Sequence, residues 1–211
     1  MFFAEQKSHR YTLEEYLNCV DITHDRLCEL ENGYILSMPP ESWQNLQIVM
    51  YLITKIVKII PYRQVTNKTE IIISGSRVTA RVPDLVVLTP EGAAELAAYR
   101  RCSAVLGVSP MSDCIKTRST IILDMPPPLL VVEVVSPGKR NRDRDYRFKR
   151  SEYAARGIAH YWIIDPQEQK FICLKLQDGL YEESVFDDTK EEISITLPFA
   201  LKIDLTQIFF D

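Results

Sequence analysis

The sequence predicts an α/β fold, α+β in detail, with a mixed β-sheet flanked by helices. Three observations carry that expectation. Residues 129–135, Leu-Leu-Val-Val-Glu-Val-Val, form the most apolar run in the chain, as in a strand buried on both faces. Residues 41–60 repeat apolar side chains at helical spacing. Shorter strand-like runs near Asp84–Leu88 and His160–Asp165 alternate with helical segments. With 211 residues, a single domain is expected. Its core is expected over about 41–166, with a helix and hairpin at 12–38 and a β-rich segment at 168–211.

The elements follow in order. Thr12 and Glu15 have the spacing of a capping box, so a short helix opens there. Leu27–Met38 reads as a β-hairpin turning on Glu31-Asn32-Gly33. In the long helix, Leu46, Val49, Met50, Ile53, Ile56, Val57 and Ile60 carry the period, and Pro61 ends it. Strands follow near Glu70–Ile73 and Asp84–Leu88, and Pro90 starts a helix. Residues 99–120 show no period and read as a loop excursion. Met125 and three prolines lead into the apolar strand, which Ser136-Pro137-Gly138 closes before a charged loop. Asp143–Arg156 is expected to be a helix stopped by Gly157. A strand at 160–165, a hairpin over Gln177-Asp178-Gly179 and a β-rich tail with a final helical turn near Asp204 complete the chain.

Composition narrows the function. Apolar residues make up 46% of the chain, too many for a disordered one. The formal net charge is −4, which counts against a broadly basic nucleic-acid-binding surface but not against a local patch. Five cysteines (Cys19, Cys28, Cys102, Cys114 and Cys173), odd in number and without a CxxC pair, argue against a zinc site or a disulfide framework. We expect reduced thiols in a cytoplasmic protein. The first residues lack the apolar stretch of a signal peptide, and no run approaches the length of a membrane span.

Asp84 and Glu133 stand where apolar residues are expected. A carboxylate inside a buried strand is costly unless it is paired or metal-bound. Two on neighbouring strands suit Mg2+, which takes one or two carboxylates and leaves its other positions to water and phosphate. The plain alternative is an ion pair without chemistry. Asp145, Lys149 and Tyr153 recur every four residues, so they share a helix face. That helix follows the Glu133 strand and can aim Lys149 at it; a surface salt bridge is the plain alternative. Lys139, Arg140, Arg142, Arg144, Arg147, Lys149, Arg150 and Arg156 make this the most basic segment, either a phosphate-facing patch or a solvated face. Tyr161 and Trp162 read as core.

Val82-Pro83-Asp84, Pro128 through Glu133 to Ser136-Pro137, Asp145-x3-Lys149-x3-Tyr153-x3-Gly157 and Tyr161-Trp162-Ile-Ile-Asp165-Pro166 together resemble the Uma-type restriction-endonuclease-like proteins of the PD-(D/E)xK nuclease superfamily. The resemblance implies a restriction-endonuclease-like core with added terminal hairpins. It implies that Asp84 and Glu133 bind metal. In the superfamily's common pattern the lysine lies two residues after the acid; that position is Val135 here, and Lys149 is the implied replacement. Similar proteins often carry a histidine near the start of the long helix, where this chain has Asn45. Glu41, Asn45, Ser136, Asp145 and Tyr153 are the expected supporting or substrate-contacting residues. The expectation is a Mg2+-dependent endonuclease acting on DNA, with Mn2+ as a substitute, and a homodimer in solution. A silent binding module that keeps the fold is the alternative.

Overall fold

Every residue of the strand Leu130–Val134 is buried, Glu133 included, and the elements that carry chemistry are arranged around it. The structure is a computed structural model that describes residues 9–18, 28–38, 40–105 and 120–210. In chain order the helices are α1 (Leu13–Asn18), α2 (Trp43–Ile56) and α3 (Pro90–Val105), followed by α4. Helix α4 is a continuous helical run of Lys139–Asp143, a π turn Arg144–Phe148, and Lys149–Ala155. The strands are β1 (Cys28–Glu31), β2 (Tyr34–Ser37), β3 (Val65–Thr66), β4 (Glu70–Ser74), β5 (Thr79–Arg81), β6 (Leu85–Val87), β7 (Thr120–Ile121), β8 (Leu130–Val134), β9 (His160–Asp165), β10 (Lys170–Gln177), β11 (Leu180–Phe186), β12 (Glu192–Thr196) and β13 (Ala200–Asp204).

The chain divides into two compact units. The first takes Met1–Pro39, Thr69–Val82 and Glu95–Met125. Its sheet has the order β2-β1-β5-β4-β7. The β1–β2 turn places Asn32 and Gly33 at φ 52° and 85°, the double left-handed turn that matches strand twist. Thr12 and Glu15 exchange both bonds of the capping box, at 3.1 and 2.7 Å. Arg81 is fully buried between Glu29 at 3.1 Å and Glu31 at 3.2 Å.

The second unit takes Pro40–Lys68, Pro83–Ala94 and Pro126–Asp211. Its mixed sheet has the order β11-β10-β9-β8-β6-β3, with only β8 and β9 parallel. Ile48, Val49, Leu52 and Ile56 of α2 pack against Leu85, Val87, Leu130, Val132, Val134 and Trp162. The β12–β13 hairpin adds Ile193, Leu201 and Ile203 to the same core. Strand side chains alternate, so Glu133 points to the opposite face, where α4 supplies its partners.

Several expectations are corrected. The buried face of α2 runs through Asn45, Ile48, Val49, Leu52 and Ile56; Leu46, Met50 and Val57 are exposed, because one apolar stripe covers only part of a helix and these lie beside it. Helix α3 runs on to Val105, past the expected loop start at 99, on an alanine-rich stretch; the rest of that loop, 106–119, lies outside the described residues. The segment after Gly138 is helical from Lys139 rather than a loop, since lysine and arginine are good helix formers. β3, β5 and β7 are too short to show a period. Across the described residues no helix is long and apolar enough to cross a membrane.

At Gly33, a Cβ would stand 2.7 Å from Arg10 Cγ and 2.9 Å from the Tyr11 carbonyl, at φ +85°. Gly33→Ala is expected to cost about 1–2 kcal/mol, measured by urea unfolding. An unchanged midpoint would show that the turn tolerates a side chain.

Candidate active site

Glu133 is 3% exposed and its charge is answered from α4. Lys149 Nζ stands 2.8 Å from Glu133 Oε1, and the Tyr153 hydroxyl donates to the same oxygen at 2.7 Å. Lys149 is also 3.4 Å from Asp145 Oδ1, which accepts from Arg144 Nε at 3.0 Å. Lys149 and Tyr153 are wholly buried and Asp145 nearly so. Glu133, Asp145 and Lys149 thus pair in a dry place, where breaking one pair is far costlier than at the surface. Tyr161 donates to the Asp145 carbonyl at 2.9 Å. Burial, with the charges of Glu133 and Asp145, pushes the Tyr161 hydroxyl well above its ordinary value, so it remains a donor.

The π turn sets this register. Lys149 N–H bonds back to the Arg144 carbonyl, five residues earlier. One residue is inserted into the helical ladder, a feature common at functional sites. After it, Lys149 and Tyr153 reach one oxygen of Glu133.

Asp84 sits just before β6. Leu85 faces Val132 across an antiparallel ladder, so the next step sets Asp84 opposite Glu133. Its Oδ2 accepts the Val134 N–H at 2.7 Å. Its Oδ1 takes Lys68 Nζ at 2.5 Å, and the same Nζ lies 3.1 Å from Glu41 Oε2. Asn45 donates to the Val134 carbonyl at 3.3 Å. Both backbone groups of Val134 are therefore held by site side chains. Ser42 caps α2 by accepting from Asn45 N–H, which fixes Glu41 and Asn45 at the helix start.

The electrostatics of this second cluster are unequal. Burial, then repulsion from Asp84, raises the Glu41 carboxyl, and Lys68 offsets only part of this. For Lys68, burial lowers the ammonium's value, but Asp84 and Glu41 together outweigh it and the net shift is upward. Among the described residues, Glu41 Oε1 is buried without a hydrogen-bond partner.

By their contacts the predicted residues therefore fall into two groups, Glu133, Asp145, Lys149 and Tyr153 in one and Asp84 with Glu41 and Asn45 in the other, and the β6–β8 register sets Asp84 opposite Glu133. Ser136 is half-buried two residues beyond β8. Lys68 escaped sequence reading. It lies in a bend between two strands, where a lysine reads as solvated, and only the fold brings Asp84 and Glu41 to it.

Much of the basic segment is answered by carboxylates. Arg142 pairs with Glu168 at 2.8 Å and Asp165 at 3.4 Å, and Arg150 pairs with Glu183. Beside the first turns of α4, Gly138, Lys139, Arg142, Asp143, Tyr146 and Gln167 line an open pocket of about 460 Å3.

No group of three or more His, Cys, Asp or Glu side chains that could hold a metal gathers among the described residues. Mg2+ needs fewer, one or two carboxylates with water and phosphate completing its shell. Asp84 and Glu41 meet that requirement. They already share one cation, and one Glu41 oxygen is left without a partner.

Comparison with known proteins supports the same class. Residues 13–206 match the Uma2 family model, described as "Putative restriction endonuclease". The fold is similar to the crystal structure of a "putative nuclease belonging to DUF820" from Anabaena variabilis, with TM-score 0.63, 17% identity, and coverage of 94% of this chain and 97% of that one. No curated protein matches.

Two measurements probe the clusters. Lys149→Met removes the ammonium that Glu133 and Asp145 share and should cost about 3–5 kcal/mol; Glu133→Gln leaves Lys149 beside Asp145 and should cost less. Denaturant titration gives the order, and equal losses would contradict the pairing. The raised Glu41 carboxyl means that the folded state binds more protons than the unfolded one above the ordinary value of 4.5. Its contribution to stability therefore falls as pH rises through that window. Stability of wild type minus Glu41→Gln should decline from acid toward neutral pH; a rising difference would refute it.

Proposed function

The chain belongs to the Uma2 family of restriction-endonuclease-like proteins, and on that footing we propose that it is a Mg2+-dependent endonuclease hydrolysing DNA phosphodiester bonds. The observation that carries this reading is the shared support of two acids on β8. Glu133 projects from the strand onto Lys149, and Asp84 grips the N–H of the next residue, Val134.

In this reading Asp84 and Glu133 are the metal-binding carboxylates, and Glu41 adds a third oxygen source beside Asp84. A bound Mg2+ supplies Lewis-acid polarisation of the phosphate and neutralises developing charge. Lys149 orients the attacking water or stabilises charge on the phosphate. Asp145 and Tyr153 hold Lys149 and Glu133 in register, and Asn45 fixes the Val134 peptide. Lys139, in the pocket at the start of α4, gives DNA phosphates a cationic contact. We further propose a homodimer through β11, the edge strand, which leaves Leu180 76% exposed.

A second reading has its own observation. Lys149 is 0% exposed and Glu133 3%, the enclosure expected of a structural ion pair in a binding module that keeps the fold without cleaving.

Cleavage of supercoiled plasmid across a Mg2+ titration separates the two. Asp84→Asn and Glu133→Gln should each lower cleavage by more than about 10–100-fold, the loss that even supporting residues around a metal cause. Equal cleavage by wild type and both variants sinks the nuclease assignment to these residues. Absence of cleavage in all three, with salt-sensitive DNA binding, favours the binding module.

A further inference from the structure

Lys68 holds the two carboxylates that a divalent cation would hold. Its Nζ lies 2.5 Å from Asp84 Oδ1 and 3.1 Å from Glu41 Oε2. One ammonium cannot answer two carboxylates fully, and among the described residues the second oxygen of Glu41 is buried without a partner. Lys68 is also placed at some cost. Its backbone is left-handed, at φ 51°, a region that a side-chain-bearing residue enters only when its surroundings hold it there. The side chain is 22% exposed, against 9% for Asp84 and 16% for Glu41, so Lys68 is the most solvent-exposed of the three.

We infer that Lys68 is a built-in counter-ion of the Asp84–Glu41 pair, which a divalent metal must displace in order to bind. The inference rests on the reading of Asp84 and Glu41 as metal ligands. Without metal, the tethered ammonium keeps two acids from repelling one another and holds the pair assembled. A divalent cation offers twice the charge, and Lys68 then swings toward solvent. Affinity for metal is therefore set by competition with a side chain of the same protein, and the protein trades some affinity for a site that stays formed when empty.

A lysine with a merely structural role behaves differently: removing it loosens the site, so metal binding weakens or stays the same. Under the counter-ion role, removal lowers the stability of the metal-free protein but strengthens metal binding. The two effects have opposite signs, and this separates the readings.

The test is Mn2+ binding by titration calorimetry, with melting curves with and without Mn2+. It uses wild type, Lys68→Met, Lys68→Gly and Asp84→Asn. Lys68→Gly removes the ammonium while relieving the left-handed backbone, so it keeps the test available if Lys68→Met fails to fold. Both Lys68 variants should bind Mn2+ about tenfold tighter or more, the ratio expected from losing one charge-assisted contact that competes. They should melt lower without metal and gain more from it, and Asp84→Asn should bind none. If the Lys68 variants bind no tighter than wild type while Asp84→Asn abolishes binding, the counter-ion role is overturned and the metal site stands. If Asp84→Asn binds as wild type does, or no protein binds Mn2+, the metal reading fails and the counter-ion role fails with it.

Discussion

The constraint on which the second unit depends is the burial of a carboxylate in the middle of β8. Glu133 cannot move to solvent, because its strand pairs on both sides with β6 and β9. Its charge has to be answered where it stands. Alternation along the strand sends it to the face away from α2, so the answer comes from α4. A regular α-helix has one register, set by where it leaves the strand. The π turn at Arg144–Phe148 adds the residue that lets both Lys149 and Tyr153 arrive at one oxygen.

Charge balance then distinguishes the two clusters. Among the described contacts, Glu133 and Asp145 meet Lys149 and Arg144, and the Tyr153 hydroxyl adds a neutral donor. Among the described residues, Asp84 and Glu41 meet one cation, Lys68. A metal at Glu133 has to share its carboxylate with Lys149 and Tyr153. The Asp84 cluster is open by one charge, and its deficit shows in the raised Glu41 carboxyl and the unpartnered Glu41 oxygen. In the proposed nuclease reading, this asymmetry places the entry of a metal on the Asp84 side, with Lys149 held ready on the Glu133 side.

Sequence patterns showed those parts of this arrangement that are written locally. The capping box at Thr12, the Asn32-Gly33 turn, β8, β9 and the C-terminal hairpins all carry their signals within a few residues. Glu133 stood out because a charge in an apolar run violates the pattern. Lys149 was legible through its four-residue spacing from Asp145 and Tyr153, although the π turn that aims it leaves no such mark. Lys68 was not legible, since what makes it matter is its distance from Glu41 and Asp84, which lie 27 and 16 residues away in the chain. The buried face of α2 was not legible for a related reason. Leu46 and Met50 fit a helical period as well as Ile48 and Leu52 do, and only the sheet beneath decides which stripe is covered.

The position of the lysine follows from the same geometry. Val135 lies two residues after Glu133, on the same face, and is buried. A lysine there would have to bury its stem along the strand and find its own partners beside Glu133. A lysine on α4 approaches the carboxylate from above, with its stem covered by the helix that carries it and with Asp145 one turn away as a second anion. The helix route brings the Lys149 ammonium to Glu133 Oε1 and leaves β8 free to stay apolar at 135. Spacing along the chain can therefore change while the spatial pairing of acid and amine is kept, provided that the helix register is fixed. In this protein the π turn fixes it.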